Sequence, residues 1–432
     1  MRYIFTLVLG LLTGAASIAA PPEAEPAGSG DAALISRVRQ VVNGMLTRLP
    51  DYTCLETLER TERPEDKKKF SLLDRVRVEV AFVNGAESYA WPGSTKFGGI
   101  NLLRAISDQG AFGTGDFGEH LKVTYRAGMP LQLAGRETLN GRDAWKFTEI
   151  VPASVSHFAV IARPATAIVG YTVTAWHDAA SLDLLRIELR AAGFPRKIPF
   201  QRVFKATDYG TVQVNGMPIR LPVMTELSVI TRNGLENRTV STFSNCREYV
   251  GESKLIFDEP APEQGSTTGE ATPQPRTDVD LPAGVQVQVR LDQAVDLKRA
   301  ARGDFVTMTV SRDSIRDGRK VLSTGASVKG RWTFIECHDL PIAYCFAILE
   351  TESYEDGGTS GPFRGALLSP SMERELAMGG RGIAAVGPID IPDAILRAGP
   401  GAPVVYAGII TKLPRGYRLI WRTLEVSGGT KP

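Results

Sequence analysis

Four Asn-Gly dipeptides, each separating two runs of alternating apolar and polar residues, constrain the fold of this chain more than any other feature. They lie at residues 84–85, 140–141, 215–216 and 233–234. Asn and Gly both tolerate the positive φ that a two-residue hairpin turn requires, and a period of two is typical of a strand with one buried face. The pattern predicts a long antiparallel meander over the first half of the chain.

A Pro-rich stretch at residues 256–280 divides the 432 residues into two parts. Pro, Glu, Gln, Ser and Thr dominate it, and such a composition cannot bury enough apolar surface to order itself. We therefore predict a first domain over 31–255, a linker over 256–280 and a second domain over 281–428. The second domain begins with alternating Val285, Val287 and Val289 and is predicted to be a small all-β barrel or sandwich.

The first twenty residues have the pattern of a secretory signal peptide. Arg2 supplies the positive start and Ile4–Leu12 the apolar core, and small residues predict cleavage near Ala19 or Ala20. A membrane anchor needs about 20 consecutive apolar residues, and the apolar run here is shorter. The sequence predicts an exported protein, periplasmic or secreted, that does not span a membrane.

The charge balance argues against nucleic acid as a partner. The chain has 50 Lys and Arg against 48 Asp and Glu. Proteins that bind nucleic acid gain affinity by releasing counterions from phosphates, which requires a basic surface excess. We predict no nucleic-acid partner.

Four cysteines fit an oxidising compartment, where they can form two disulfides. Of the three possible connectivities, we predict one long pairing, Cys54–Cys246, and one short pairing, Cys337–Cys345. The alternative for the second pair is a metal site formed by Cys337, His338 and Cys345. That alternative lacks the second close pair of ligands that a structural zinc site has.

No motif in the sequence indicates an enzyme. Gly113–Gly118 matches G-x-G-x-x-G, but a dinucleotide site requires a βαβ unit, and the predicted sheet here is antiparallel. We interpret it as a glycine-rich connection. His177-Asp178 falls in a predicted turn, where Asp is common for conformational reasons. The zinc-protease and serine-hydrolase motifs are absent, so we predict no enzymatic activity, no cofactor and no metal.

Several segments of the first domain carry a family resemblance. They are Leu49-Pro50-Asp51-Tyr52 after a predicted helix from Asp31, then Gly135–Trp145, Ala175–Asp178 and Leu184–Glu188. In order and composition, residues 31–250 resemble the bacterial periplasmic lipoprotein-carrier (LolA-type) superfamily. The resemblance implies a mainly β fold whose N-terminal part is an antiparallel half-open β-barrel covered by helices. It also implies an apolar hollow that holds lipid chains.

The second domain shows a more limited resemblance. Leu281-Pro282-Ala283-Gly284, followed by alternating valines and then by Gly303-Asp304-Phe305 and Thr324–Gly330, is similar to envelope β-domains of secretion-channel proteins. That similarity implies a protein partner in the bacterial envelope.

The candidate ligand-binding residues form an apolar stripe on the predicted strands of the first domain. They are Val76, Val78, Val80, Trp91, Trp145, Phe147, Leu185, Ile187 and Leu189. Two interpretations stay open: the residues are simply the core beneath the helices, or the sheet curves enough to leave a hollow for an acyl chain. The second predicts a non-enzymatic envelope protein that binds or senses a lipid or lipoprotein acyl chain. The alternative function is an interaction module of an envelope assembly without a small-molecule ligand.

Overall fold

The computed structural model describes residues 29–94, 97, 110–156, 158–162, 164–249, 277–338, 344–369, 404–407 and 411–425. These residues form a mainly β protein built on two large sheets, which confirms the predicted fold class. The predicted signal peptide and most of the predicted linker lie outside the described residues. Within the described part, no helix has both the length and the apolar character needed to cross a membrane.

The first sheet has ten strands. They are β1 (Tyr52–Arg63), β2 (Ser71–Val83), β3 (Ala86–Ala90), β4 (Gln132–Leu139), β5 (Arg142–Val151), β8 (Tyr171–Asp178), β9 (Leu184–Ala192), β10 (Phe200–Val214), β11 (Met217–Thr231) and β12 (Glu236–Glu248). Their spatial order is β3-β2-β1-β12-β11-β10-β9-β8-β5-β4. Two antiparallel meanders are thus joined where the first strand pairs with the last, with Leu58 opposite Ser241.

Three of the four Asn-Gly dipeptides form the two-residue turns that the sequence predicts. Both residues have positive φ at 84–85, 140–141 and 215–216. The fourth differs, because only Gly234 has positive φ there. The backbone N–H of Thr231 donates to the carbonyl of Leu235 at 2.9 Å, and this bond closes a longer loop between β11 and β12.

One face of the first sheet, called the inner face below, is covered by separate pieces of chain. Helix α1 (Ser29–Thr47) buries Ile35, Val38 and Val42 against it, at the spacing of one helical face. The chain from 110 to 118 and helix α2 (Glu119–Thr124) cross the same face. We call the third piece the flap, which consists of α3 (Ala153–Ser156), β6 (Ala159–Ala162) and β7 (Ala165–Ile168).

The flap is attached to the sheet by side chains and at its base. Among the described residues, β6 and β7 pair with each other and with no strand of either large sheet. At the base, the hydroxyl of Ser156 donates to the carbonyl of Val169 at 2.6 Å. Val160 is buried on the inward side, whereas Ile161 and Ile168 are exposed on the outward side. The flap can therefore move away from the sheet without breaking a ladder of backbone hydrogen bonds.

The second sheet has nine strands. They are β13 (Thr277–Asp278), β14 (Gln286–Leu291), β16 (Phe305–Val310), β19 (Ser327–His338), β20 (Tyr344–Asp356), β21 (Thr359–Pro362), β22 (Gly365–Ser369), β23 (Val404–Ala407) and β25 (Arg418–Thr423). Two separate two-stranded sheets lie in the same part of the chain: β15 (Val295–Asp296) pairs with β24 (Lys412–Leu413), and β17 (Ser314–Arg316) pairs with β18 (Arg319–Leu322). Strands from opposite parts of this sheet, such as β20 and β22, bury side chains in one apolar cluster around Trp332 and Trp421.

Both predicted disulfides are present. Cys54–Cys246 ties β1 to β12, and Cys337–Cys345 joins directly opposed residues of β19 and β20. The second bond removes the thiolates that a metal site at Cys337, His338 and Cys345 would require. The alternative metal interpretation is therefore excluded.

The two sheets meet along the edge of β2. The backbone of Arg302 pairs with this edge: Arg77 N–H donates to its carbonyl, and its own N–H donates to the carbonyl of Arg75, both at 2.8 Å. The buried carboxylate of Asp74 accepts from Arg60 Nε at 2.6 Å and from Arg302 Nη1 at 3.3 Å. A buried ionic group thus links β1, β2 and the second sheet.

Gly303 should be essential to this junction. Its φ is +97°, and a Cβ added there would lie 2.3 Å from the carbonyl oxygen of Arg77. Gly325 is a matched control, because its φ is +94° and no heavy atom lies within 4 Å of an added Cβ. We expect Gly303→Ala to lower the free energy of unfolding by about 1–3 kcal/mol more than Gly325→Ala in urea denaturation. Equal losses would show that the junction tolerates the added methyl group.

Candidate functional site

The structure distributes the candidate apolar residues among three clusters. Val76, Val78 and Val80 are buried, with Trp91 half-buried, in a cluster at the β1–β3 end of the sheet. Phe147, Ile187 and Leu189 are buried, with Trp145 half-buried, in a second and larger cluster beneath α1 and the flap. Leu185 lies apart from both, with Ala144 and Trp176.

A β-bulge explains the position of Leu185. His177 is opposite Leu184 and Trp176 is opposite Arg186, so Leu185 is an additional residue without a partner of its own. Leu185 packs with Ala144. Ala144 precedes the inward-facing Trp145 on β5, so Ala144 and Leu185 lie on the other face of the sheet. The regular spacing of Leu185, Ile187 and Leu189 in the sequence does not indicate a bulge. The bulge arises from the pairing of β9 with its partner strand β8.

Buried and half-buried polar side chains form a belt on the inner face, which includes the glycine-rich segment 113–118. The side chains of the belt are Glu56, Glu87, Asp116, Lys205, Thr207 and Thr225. The carboxylate of Asp116 accepts from the hydroxyls of Thr207 and Thr225 at 2.8 and 2.9 Å, and it pairs with Lys205 at 3.1 Å. Glu87 accepts from the backbone N–H groups of residues 115 and 117 at 2.8 Å. These bonds fasten the segment across the sheet, which agrees with its interpretation as a connection.

The belt also holds a carboxyl group in unfavourable surroundings. The pKa of Glu56 is raised to about 8, mainly by burial and to a smaller extent by the nearby Asp116 and Glu87, whereas Ser241 and Lys205 act in the opposite direction. Within the described part of the chain, no group of three or more His, Cys, Asp or Glu side chains is arranged to hold a metal ion. The hydrogen bonds of Asp116 and Glu87 connect segment 110–118 to the sheet.

Beneath the flap, the apolar surface contains Glu149, a residue that the sequence reasoning missed. Glu149 follows Trp145 and Phe147 and precedes Val151 at a spacing of two residues, so its side chain points inward with theirs, and the residue is only 2% exposed. Among the described residues, neither carboxyl oxygen has a hydrogen-bond partner. A buried polar group without a partner is rare in folded proteins and calls for an explanation.

Two further polar groups without partners lie near Glu149. Val151 is opposite Tyr171 and Glu149 is opposite Val173, so the side chains of Glu149 and Tyr171 are diagonal neighbours on one face. Within the described residues, the Tyr171 hydroxyl and the Nε of Arg39 on α1 have no hydrogen-bond partner. The other end of the Arg39 guanidinium donates to the carbonyl of Met129.

Burial dominates the electrostatics of this group. It raises the pKa of Glu149 to about 7, against the opposing charges of Arg39 and Arg126. Burial also raises the pKa of Tyr171 to about 12, with a further contribution from Glu149. Tyr171 therefore stays a neutral hydroxyl at neutral pH, while Glu149 is divided between its two forms.

Aromatic groups complete the surroundings. The ring of Phe158, at the base of the flap, lies 5.5 Å from the ring of Tyr171. Nearby, His177 is buried, and its Nδ1 donates to the carbonyl of Leu182 at 2.8 Å while its Nε2 accepts from the Tyr125 hydroxyl at 2.6 Å. Burial lowers the pKa of His177 to about 4. His177 is thus a neutral core residue that holds Tyr125 in place.

The raised carboxyl pKa values predict how stability depends on pH. Glu56 and Glu149 hold a proton more tightly in the folded chain, so these two groups make the free energy of unfolding fall as pH rises from about 4.5 to 8, whereas His177 with its lowered pKa acts in the opposite direction up to about pH 6.5. We expect Glu149→Gln to reduce this fall mainly below pH 7 and Glu56→Gln to reduce it up to pH 8. Urea denaturation at pH 5, 6, 7 and 8 measures the slopes. The exposed-loop variant Glu65→Gln is the control, and slopes identical in all three variants would contradict the prediction.

No family model matches the chain, and no curated protein matches it. Solved structures similar to it include a DUF1329 family protein from Desulfovibrio piger, at 13% identity over 51% of this chain and 95% of that chain, with a TM-score of 0.26. A LolA superfamily protein from Nitrosomonas europaea matches at 12% identity over 50% and 94% of the two chains, with a TM-score of 0.25. The lipoprotein LppX from Mycobacterium tuberculosis matches at 15% identity over 51% and 98%, with a TM-score of 0.21.

One of these neighbours is a member of the LolA superfamily, which residues 31–250 resemble in sequence. The similarity of the second domain to envelope β-domains stays a prediction.

Proposed function

We propose that this chain is an exported, non-enzymatic binding protein that holds an apolar ligand between the first sheet and the flap. One observation supports the proposal above the others. The largest apolar cluster of the first sheet is covered by a flap that, among the described residues, shares no strand pairing with that sheet. Separating the two would expose apolar surface without breaking the ladder, and an apolar ligand could take the place of the lost contacts.

The energetics of such a site require no specific motif. Burying an acyl chain is worth about 0.8 kcal/mol for each CH₂ group. The inward side of the flap carries the small side chains Ala162, Ala165 and Ala167, which pack against the cluster. A lipid or a lipoprotein acyl chain is the ligand class that matches an apolar surface of this kind.

The proposed location follows from the cysteines and the predicted signal peptide. Both cysteine pairs are oxidised in the structure, which is typical of the periplasm or the extracellular space. We also propose the domain boundaries 31–255 and 281–428, with the residues between them as the linker. The junction at Arg302 would then be a docking surface between two domains.

The alternative function, an interaction module of an envelope assembly, has one observation in its favour. Ile161 and Ile168, which are 64% and 50% exposed, lie on the outward side of the flap. A protein partner in the envelope could cover them. The proposed function uses the inward side of the flap to contact the ligand, whereas the alternative function uses the outward side to contact a protein partner.

Two substitutions on β7 separate these functions. Ala167 is half-buried on the inward side, and its neighbour Thr166 is exposed on the outward side. We expect Ala167→Trp to weaken binding of a fluorescent fatty-acyl probe to delipidated protein by at least about tenfold, because the indole occupies space beneath the flap. Thr166→Trp should bind as the parent protein does. Absence of probe binding in the parent protein would contradict the proposed function, and equal binding by both variants would contradict its location.

A further inference from the structure

The carboxyl of Glu149 is the strongest sign that this site receives more than hydrocarbon. It lies on the apolar inner face at 2% exposure, and among the described residues both of its oxygens lack hydrogen-bond partners. Leaving a buried polar group unpaired costs stability, most of all for a group that can ionise. A residue that only filled the core would be apolar at this position. A bound group that forms hydrogen bonds would account for Glu149.

Tyr171 and Arg39 extend the argument to a cluster. In the described part of the chain, the Tyr171 hydroxyl and the Arg39 Nε also lack hydrogen-bond partners. Tyr171 is diagonal to Glu149 on the same face of β5 and β8, and its ring packs on Phe158 at the base of the flap. A carboxyl and a hydroxyl are thus neighbours beneath the flap, and the Arg39 guanidinium is close enough for its charge to act on Glu149.

The charges of this cluster limit which polar group it would accept. The cluster contains both signs of charge, so a ligand carboxylate would meet Glu149 as a like charge, and a ligand ammonium would meet Arg39 and Arg126 as like charges. Both would be buried at a substantial cost. A hydroxyl or an amide can donate to the Glu149 carboxyl and accept from Tyr171 or Arg39 without bringing a charge.

We propose that the ligand is an apolar chain with an uncharged hydroxyl or amide end, which lies against Glu149 and Tyr171 beneath the flap. This inference rests on the proposed function and names the ligand class for the same site. The hydrocarbon part contacts the cluster around Phe147 and Leu189. The polar end supplies the partners that the three groups lack.

A matched pair of ligands tests the inference. 1-Dodecanol and 1-methoxydodecane share the alkyl chain and the oxygen, and only the alcohol has an O–H to donate. Delipidated full-length protein is titrated with each ligand in competition with a fluorescent naphthylamine probe. We expect the alcohol to bind at least about tenfold more tightly than the ether, because the ether leaves a buried acceptor unpaired. Dodecanoate, which carries a charge, should bind more weakly than the alcohol.

Variants assign the preference to named side chains. In Glu149→Leu, the advantage of the alcohol over the ether should disappear while the ether binds as well as before. Glu149→Gln keeps an acceptor oxygen and should keep most of the preference. Tyr171→Phe removes one hydroxyl, should reduce the preference by a smaller factor, and provides a second measurement if Glu149→Leu folds poorly.

Each outcome distinguishes this inference from the function on which it rests. If neither ligand binds to the parent protein, the proposed function itself fails. If both bind equally well, or if dodecanoate binds best, apolar binding stands and the inference is overturned, since water would then suffice to satisfy the three polar groups. If Glu149→Leu keeps the full preference for the alcohol, the assignment to Glu149 is overturned.

Discussion

Replacing both Cys54 and Cys246 by serine is expected to lower the free energy of unfolding by about 5 kcal/mol. The two residues are 192 positions apart in sequence, so the bond removes a large amount of chain entropy from the unfolded state. It also joins β1 to β12, the pairing that unites the two meanders of the first sheet. Guanidinium denaturation of the oxidised parent protein and of the double variant measures the difference.

The second disulfide is the control for this interpretation. Cys337 and Cys345 are 8 positions apart, and the same entropy model gives a loss of only about 2–3 kcal/mol for their replacement. The ratio of the two losses is therefore part of the prediction. A loss for the long pairing that is equal to or smaller than that for the short one would contradict it.

Asp74→Asn is expected to cost about 3–5 kcal/mol of stability. The carboxylate is 4% exposed and accepts hydrogen bonds from Arg60 and Arg302, which are 0% and 8% exposed. Replacing it leaves two buried guanidinium groups without this negative charge. Arg302 lies in the part of the chain that forms the second sheet. The variant should therefore also loosen the junction between the two sheets and increase proteolysis at this junction.

An exposed ion pair provides the matched control. Arg136 and Asp143 form a hydrogen-bonded pair, but their side chains are 51% and 54% exposed. Solvent screens such pairs, which typically contribute at most about 1 kcal/mol. Asp143→Asn should therefore have a small effect on thermal and urea denaturation. Losses of similar size for the Asp74 and Asp143 variants would show that burial of the junction is not what makes Asp74 important.

Local chemistry explains how much of the fold could be predicted from the sequence. The turns at 84–85, 140–141 and 215–216 were predictable because positive φ and strand alternation are properties of adjacent residues. The cysteine pairing was also predictable. The predicted Cys54–Cys246 bond implies that β1 and β12 are close, but their register and the junction at Arg302 could not be predicted, because they depend on residues that are far apart in sequence.

The candidate site could be predicted only in part, for a similar reason. Phe147, Ile187 and Leu189 follow a period of two and lie together beneath the flap. The same alternation places Glu149 on the buried face, so its position could be predicted from the sequence. The period of two also groups Leu185 with Ile187 and Leu189. The β-bulge that turns Leu185 to the other face depends on the opposite strand, so the local sequence does not indicate it. The polar belt around Asp116 could not be predicted, because it forms only when segment 110–118 folds back onto the sheet.

Binding of a homologous series of primary alcohols to delipidated protein, measured by titration calorimetry, tests the central claim most directly. If the chain lies between the sheet and the flap, affinity should rise about fourfold for each added CH₂ group until the site is filled. The heat capacity change should become more negative over the same range. Affinity that does not depend on chain length, or no binding at any length, would contradict the account.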